Sequence, residues 1–123
     1  MIIGHSDDTT DLAYLEKLMA AGSFIGTDRF GVDVFLTFED RVATVVELCA
    51  RGHDDQMVLS HDAACLNDWL DEDVVAMVMP RWSFLHISND VIPALREKGV
   101  TAEQIDQMLV QNPQKLFERQ GSY

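Results

Sequence analysis

Basic side chains are scarce in this sequence, with 9 Lys and Arg against 21 Asp and Glu in 123 residues and a formal charge of -12 at pH 7. Such an acidic surface repels phosphate backbones and anionic lipid headgroups within a Debye length, so neither nucleic acid nor a membrane surface is an expected partner. The acids are scattered rather than blocked, as on a solvated exterior. Cysteine is equally sparse. Cys49 falls in a helical pattern and Cys65 in a loop, with no Cys-x-x-Cys spacing, which excludes a disulfide framework and favours a reducing, cytoplasmic setting. No apolar run approaches the roughly 18 residues of a membrane span, and Met1-Ile2-Ile3-Gly4-His5 lacks the regions of a signal peptide. What remains is an ordinary globular composition, 47% hydrophobic and 24% charged, in a length that allows one domain over residues 1–123.

Hydrophobic spacing predicts a helix over residues 11–21, with Leu12, Leu15 and Met19 on one face, Thr9 or Thr10 as cap and Gly22 as stop. The following run, Ser23 to Thr27 before Asp28, is too short for a helix and reads as a buried strand. The unit then repeats. A helix over 39–51 gathers Val42, Val45, Val46 and Cys49, Gly52 ends it, and 57–60 forms another apolar strand. Met1 to Gly4 is expected to be the tail of a strand that begins upstream.

Alternating strands and helices predict right-handed crossovers and a parallel sheet, an α/β fold. The C-terminal ends of parallel strands share one edge, so His5, Asp28 with Arg29, and His61 with Asp62 would converge there. After Asp62 comes a connection of about twenty residues holding Trp69, Pro80 and Trp82, long against the usual 4–6 and suited to a binding lid. Farther on, Asp90 is expected to cap a helix with Pro93 in its first turn, Thr101 to Gln104 opens another, and Asn112-Pro113 begins a last one ending near Glu118.

His5 and Asp62 lie in Gly4-His5-Ser6-Asp7-Asp8 and Ser60-His61-Asp62, where a His beside carboxylates offers donors that divalent metals such as zinc accept. On spacing alone, a hydrogen-bonded structural His is the commoner outcome. Asp28 and Arg29 can pair with each other, or with Asp8, as a rim ion network, or can face a substrate. Trp69 and Trp82 can cover core surface or line a pocket. His53, after a helix stop, His61, beside Asp62, and His86, in an apolar run, are not expected ligands.

The stretch Ile3 to Leu12, followed by Phe24-Ile25-Gly26-Thr27-Asp28-Arg29-Phe30-Gly31 and Leu59-Ser60-His61-Asp62, resembles strands six, seven and eight of the phosphotriesterase family. Phe84-Leu85-His86-Ile87 to Asn112-Pro113 is similar to its closing helices, so the resemblance covers essentially the whole chain. It implies the last three β/α units of a (β/α)8 TIM barrel, in a family whose members hold two divalent metals bridged by a hydroxide that attacks phosphotriesters or lactones. By that resemblance His5 ligates the more exposed metal, and Asp62 ligates the more buried one and takes a proton. Asp8 matches the relay carboxylate. Arg29 stands where lactonase-like members carry Arg and phosphotriester-specialised ones His, and Trp69 matches a pocket Trp of the lactonase-like members. The implied partner is a small lactone or organophosphate ester, the implied cofactor zinc or else manganese, cobalt or iron, and the implied assembly a homodimer of the full-length protein.

A closed barrel takes about 250 residues, so the family's His-x-His pair, carboxylated lysine and further His have no counterpart here. Two donors do not hold a binuclear site, and the isolated chain is expected to be inactive. The alternative is a non-enzymatic remnant or assembly module that self-associates or pairs with a complementary chain. As an edge strand, Phe24 to Thr27 carries no protecting charge or proline.

Overall fold

The computed structural model describes residues 1–118 apart from 66, 67 and 69. Three short parallel strands lie side by side in the order β1 (Ile2–Ile3), β2 (Phe24–Thr27) and β3 (Met57–Leu59). Ile3 pairs with Ile25, Gly26 with Val58 and Thr27 with Leu59. β2 is thus the central strand, bonded on both sides, and needs no edge protection; the unpaired edges belong to β1 and β3.

Helix α1 (Leu12–Ala20) joins β1 to β2. Its cap is Asp11, not Thr9 or Thr10: the Asp11 carboxylate accepts the Tyr14 N–H at 3.0 Å, while Thr9 Oγ1 accepts the N–H of Asp11 itself at 3.1 Å. An anion there also suits the helix dipole, which a threonine cannot exploit. Helix α2 (Phe38–Ala50) starts one residue earlier than the spacing implies, because the Thr37 hydroxyl accepts the Asp40 N–H at 3.1 Å. Leu15, Met19, Ile25, Val42, Val45, Leu48 and Met57 are buried together between the helices and the sheet. Each such side chain contributes roughly 1.5–3 kcal/mol of burial.

The long connection after β3 contains a helix the spacing did not show, α3 (Glu72–Val78), with no buried residue. Its apolar residues surround the axis, so no 3.6-residue stripe marks it. The tail corrects a second expectation. Asp90 does not cap a helix; it lies within a π turn, Ile87–Val91, that runs straight into α4 (Ile92–Glu97). The same arrangement recurs where α5 (Ala102–Asp106) passes through the π turn Gln107–Gln111 into α6 (Asn112–Glu118). In both, the residue before a proline closes the turn, Ile92 N–H on Ile87 and Asn112 N–H on Gln107, which lets the helix continue past the donor the proline lacks. α5 opens with the expected capping box between Thr101 and Gln104. Asn112 is fully buried and donates to the carbonyls of Asp54 and Met57, both at 2.7 Å, pinning the last helix to the base of β3. Among the described residues no helix is long and apolar enough to cross a membrane.

Candidate active site

The C-terminal ends of the three strands do share an edge, and its first feature is backbone strain. His5, just past β1, has φ 56, and Asp62, past β3, has φ 51; they are the two non-glycine residues in the left-handed region among those described. An L side chain pays roughly 1–2 kcal/mol there, which surrounding structure must sustain. The two strained positions are the two expected metal donors.

The His5 ring is oriented by Asp28. Asp28 Oδ1 accepts the His5 backbone N–H at 2.8 Å and lies 2.9 Å from Nδ1, so Nε2 is the ring nitrogen left for another group. Two glycines make room for this carboxylate. A Cβ on Gly26 would lie 2.9 Å from Asp28 Oδ2 and 3.1 Å from Gly4 Cα, and a Cβ on Gly4 would lie 3.1 Å from the same oxygen. Asp28 therefore pairs with His5 and not with Arg29.

Arg29 pairs with Asp8, as one of the sequence alternatives had it, through Nη1 and Oδ2 at 2.7 Å. The other Asp8 oxygen accepts from Arg41 Nη2 at 2.8 Å. Arg41 is fully buried, and it also donates to the Asp7 carbonyl at 2.6 Å and the Val32 carbonyl at 3.1 Å, with its Nη1 2.9 Å from Asp7 Oδ2. The Asp7 carboxylate in turn accepts the backbone N–H groups of Asp28 and Arg29 at 3.2 and 3.1 Å. Burial pushes Asp7 above the ordinary carboxyl value, with the Arg41 charge pulling against it. Burial also acts to raise Asp8, but the hydrogen bonds from Arg29 and Arg41 outweigh it and hold that carboxyl below its ordinary value.

Asp7 and Arg41 are site residues that sequence reasoning missed, and Asp28, expected at this edge, was not expected to orient His5. Arg41 had a signal: it lies four residues before Val45 and seven before Leu48, on the apolar stripe of α2, where an unpaired guanidinium would not be tolerated.

Past β3 the wiring thins. His61 does not bond Asp62; its Nδ1 accepts the Ala63 N–H at 2.9 Å, its ring meets Phe84 edge-on at 5.1 Å, and its carbonyl accepts from Trp82 Nε1 at 2.8 Å. His61 thus shapes the backbone that carries Asp62. Asp62 itself is exposed. A cavity of about 220 Å³ opens beside it, lined by Arg29, Asp62, Val34, Phe35, Met79 and Trp82. Apolar walls with a few charged groups are what binding pockets commonly offer. Trp82 therefore lines a pocket, while Trp69 lies outside the described residues. Of the remaining histidines, His86 is buried with Nδ1 2.7 Å from Asp90, and His53 sits 3.4 Å from Glu16. Among the described residues no three His, Cys, Asp or Glu side chains come together to hold a metal ion.

The model of the phosphotriesterase family matches residues 1–117. A phosphotriesterase homology protein of Mycobacterium tuberculosis is 59% identical over 123 residues, covering 100% of this chain and 38% of that protein. An aryldialkylphosphatase of Saccharolobus solfataricus is 39% identical, over 95% of this chain and 38% of its own length. The solved structure of the phosphotriesterase from Mycobacterium tuberculosis superposes with a TM-score of 0.96 at 60% identity, over 99% of this chain and 38% of that one. The chain thus spans well under half the length of these relatives, and its sheet and helices are part of their barrel. With the family's model matched along nearly its whole length, the chain belongs to the phosphotriesterase family.

Proposed function

We propose that this chain is the closing part of a metal-dependent hydrolase that acts on lactones and on phosphotriesters, and that it is inactive alone. One observation carries the reading: His5 and Asp62 stand in strained backbone past the ends of β1 and β3, Arg29 past the strand between them is paired with Asp8, and an apolar cavity opens beside Arg29 and Asp62. Such strain persists where surrounding structure over-determines it, commonly at functional sites. A divalent metal pair, which His5 and Asp62 would help to hold in a completed barrel, supplies Lewis acidity toward the substrate's carbonyl or phosphoryl oxygen. The chain's own residues do the rest. Asp28 sets the His5 ring, Asp62 takes the proton and Asp8, held ionised, passes it outward, Arg29 offers a positive charge at the cavity mouth, and Phe35, Met79 and Trp82 receive an apolar substituent. Arg29 in place of His favours the lactone as the better substrate, and the donor types suit zinc, manganese, cobalt and iron alike, with zinc the ion expected from the resemblance.

The test joins residues 1–123 to the upstream segment of the Mycobacterium tuberculosis relative and assays a γ-lactone and an aryl dialkyl phosphate. Lactone turnover should dominate, vanish with Asp62→Asn or His5→Ala, and yield ground to the phosphotriester with Arg29→His. A folded, metal-loaded graft that hydrolyses neither substrate overturns the proposal.

A second reading, a non-enzymatic module that self-associates, is favoured by apolar side chains left open: Ile2 is 46% exposed on the β1 edge and Phe117 90% on α6. A monodisperse, monomeric chain in sedimentation at high concentration removes it.

A further inference from the structure

We infer that Arg41, buried away from any substrate, is a positioning residue of this site: its guanidinium fixes the Asp8 carboxylate in the orientation that meets Arg29. The inference deepens the hydrolase reading and rests on it, since the placement of Asp8 serves catalysis only if Asp8 handles a proton there.

Charge balance is the first argument. Arg41 is wholly buried, and a buried cation requires a counter-charge. Asp7, itself 2% exposed and 2.9 Å away, already supplies it. Arg29 likewise neutralises Asp8 at 2.7 Å. Two closed pairs would satisfy electrostatics without any link between them. The Arg41 Nη2 bond to Asp8 Oδ1 at 2.8 Å is therefore surplus to neutrality, and what it adds is geometry. It joins the buried pair to the rim pair and occupies one carboxylate oxygen, so the other is directed at Arg29.

The second argument is the number of separate segments held. Through the Asp7 carbonyl, the Asp8 carboxylate and the Val32 carbonyl, one planar group ties the 3-10 turn Ser6–Asp8 after β1 and the loop after β2 to helix α2. A guanidinium meets several acceptors at fixed angles in its plane, whereas an ammonium is a single point of charge. Lysine at this position keeps the cation and loses the angles. That makes the role separable from charge.

The experiment follows the Asp8 side-chain carboxyl by ¹³C NMR across acid pH in the purified 123-residue chain. Arg29 and Arg41 are the charged groups on Asp8, with Asp7 behind Arg41. In Arg29→Met, Asp8 should still titrate below the ordinary carboxyl range with one sharp resonance, because Arg41 keeps its grip. In Arg41→Lys, the midpoint should rise toward the ordinary value and the Arg29 Nε–H signal should broaden. An unchanged midpoint in a folded Arg41→Lys variant overturns the inference. So does an ordinary midpoint in Arg29→Met alone, and that arm decides the matter if Arg41→Lys does not fold. These readouts need no turnover: a graft that fails to hydrolyse while Asp8 titrates as described refutes the hydrolase reading, and an unmoved Asp8 refutes the role of Arg41 whatever the graft does.

Discussion

The turn after β1 and the connection after β3 each present one donor of metal-ligand type, yet they are built in opposite ways. Around Asp7 and Asp8, two guanidinium groups, two carboxylates and four backbone groups form a net whose centre is sealed from solvent. Between Asp62 and Trp82 the described residues are mostly exposed, α3 buries nothing, and contacts with the rest include Trp82 on the His61 carbonyl, Arg81 Nε on Asp33 at 3.0 Å, Arg81 over the Phe38 ring, and the close approach of Gly31 to Trp82. The first region is held by charges that satisfy one another within this chain. The second is apolar surface that is stable only to the extent that something covers it. On the proposed hydrolase reading, the side that would handle protons is preset while the pocket side depends on further structure.

The hardest blow to that contrast should be Arg41→Met. It strands Asp7 in the interior without its counter-charge, and removing one partner of a buried pair costs about 3–5 kcal/mol. Urea unfolding should register most of that; a loss under about 1 kcal/mol would mean that water already reaches the net. Next comes Gly31→Ala, aimed at the joint between the regions. Gly31 has φ 97, and a Cβ there would lie 2.8 Å from Trp82 Cα and 2.9 Å from the Arg81 carbonyl, both backbone atoms that cannot swing aside. Strain and overpacking together predict about 2–4 kcal/mol, with amide exchange accelerated over residues 72–82 and little changed at Asp7 and Asp8.

Asp8→Asn should have a smaller effect, and one that depends on pH. The folded-state value of Asp8 lies below its unfolded one, so its contribution is present above the ordinary carboxyl value and lost as pH falls through the lowered one. The variant should therefore melt below the wild type at neutral pH, and the two should converge in acid. Asp7, raised by burial, works in the opposite sense in both proteins. Least of all should come Arg81→Ala. Its pair with Asp33 is partly exposed, such pairs contribute about 1 kcal/mol or less, and the change should appear as faster exchange in α3 with no shift in the global midpoint.

The same contrast governs what could be read from the sequence. β1, β2, β3, α1 and α2 were legible because short apolar runs alternate with stripes of period 3.6, and the ends of the strands followed from parallel order. The resemblance singled out His5, Asp8, Arg29 and Asp62, which lie past the C-terminal ends of the strands, and the Asp8–Arg29 pair was one of the options that composition left open. Arg41 and the pairing of Asp28 with His5 were not legible, since these contacts reach 33 and 23 residues along the chain, which no local pattern encodes. The cap at Asp11 was missed for a nearer reason. Thr9, Thr10 and Asp11 are all good caps by type, and only backbone geometry chooses among them. α3 escaped because its apolar residues form no stripe, and the π turns at Ile87–Val91 and Gln107–Gln111 escaped because helix-stop rules assume one regular hydrogen-bond pattern.

Central to the proposed function is that this chain would bring only part of a metal site, with His5 and Asp62 awaiting donors from elsewhere. Calorimetric titration of the purified chain with zinc tests it directly. Weak, unsaturated uptake, reduced further by His5→Ala, is the expected result, because two protein donors fall short of the three or more a stable zinc site uses. Saturable binding of two ions per chain at submicromolar affinity, lost in His5→Ala and Asp62→Asn, would contradict it and mean that the site is complete within these residues.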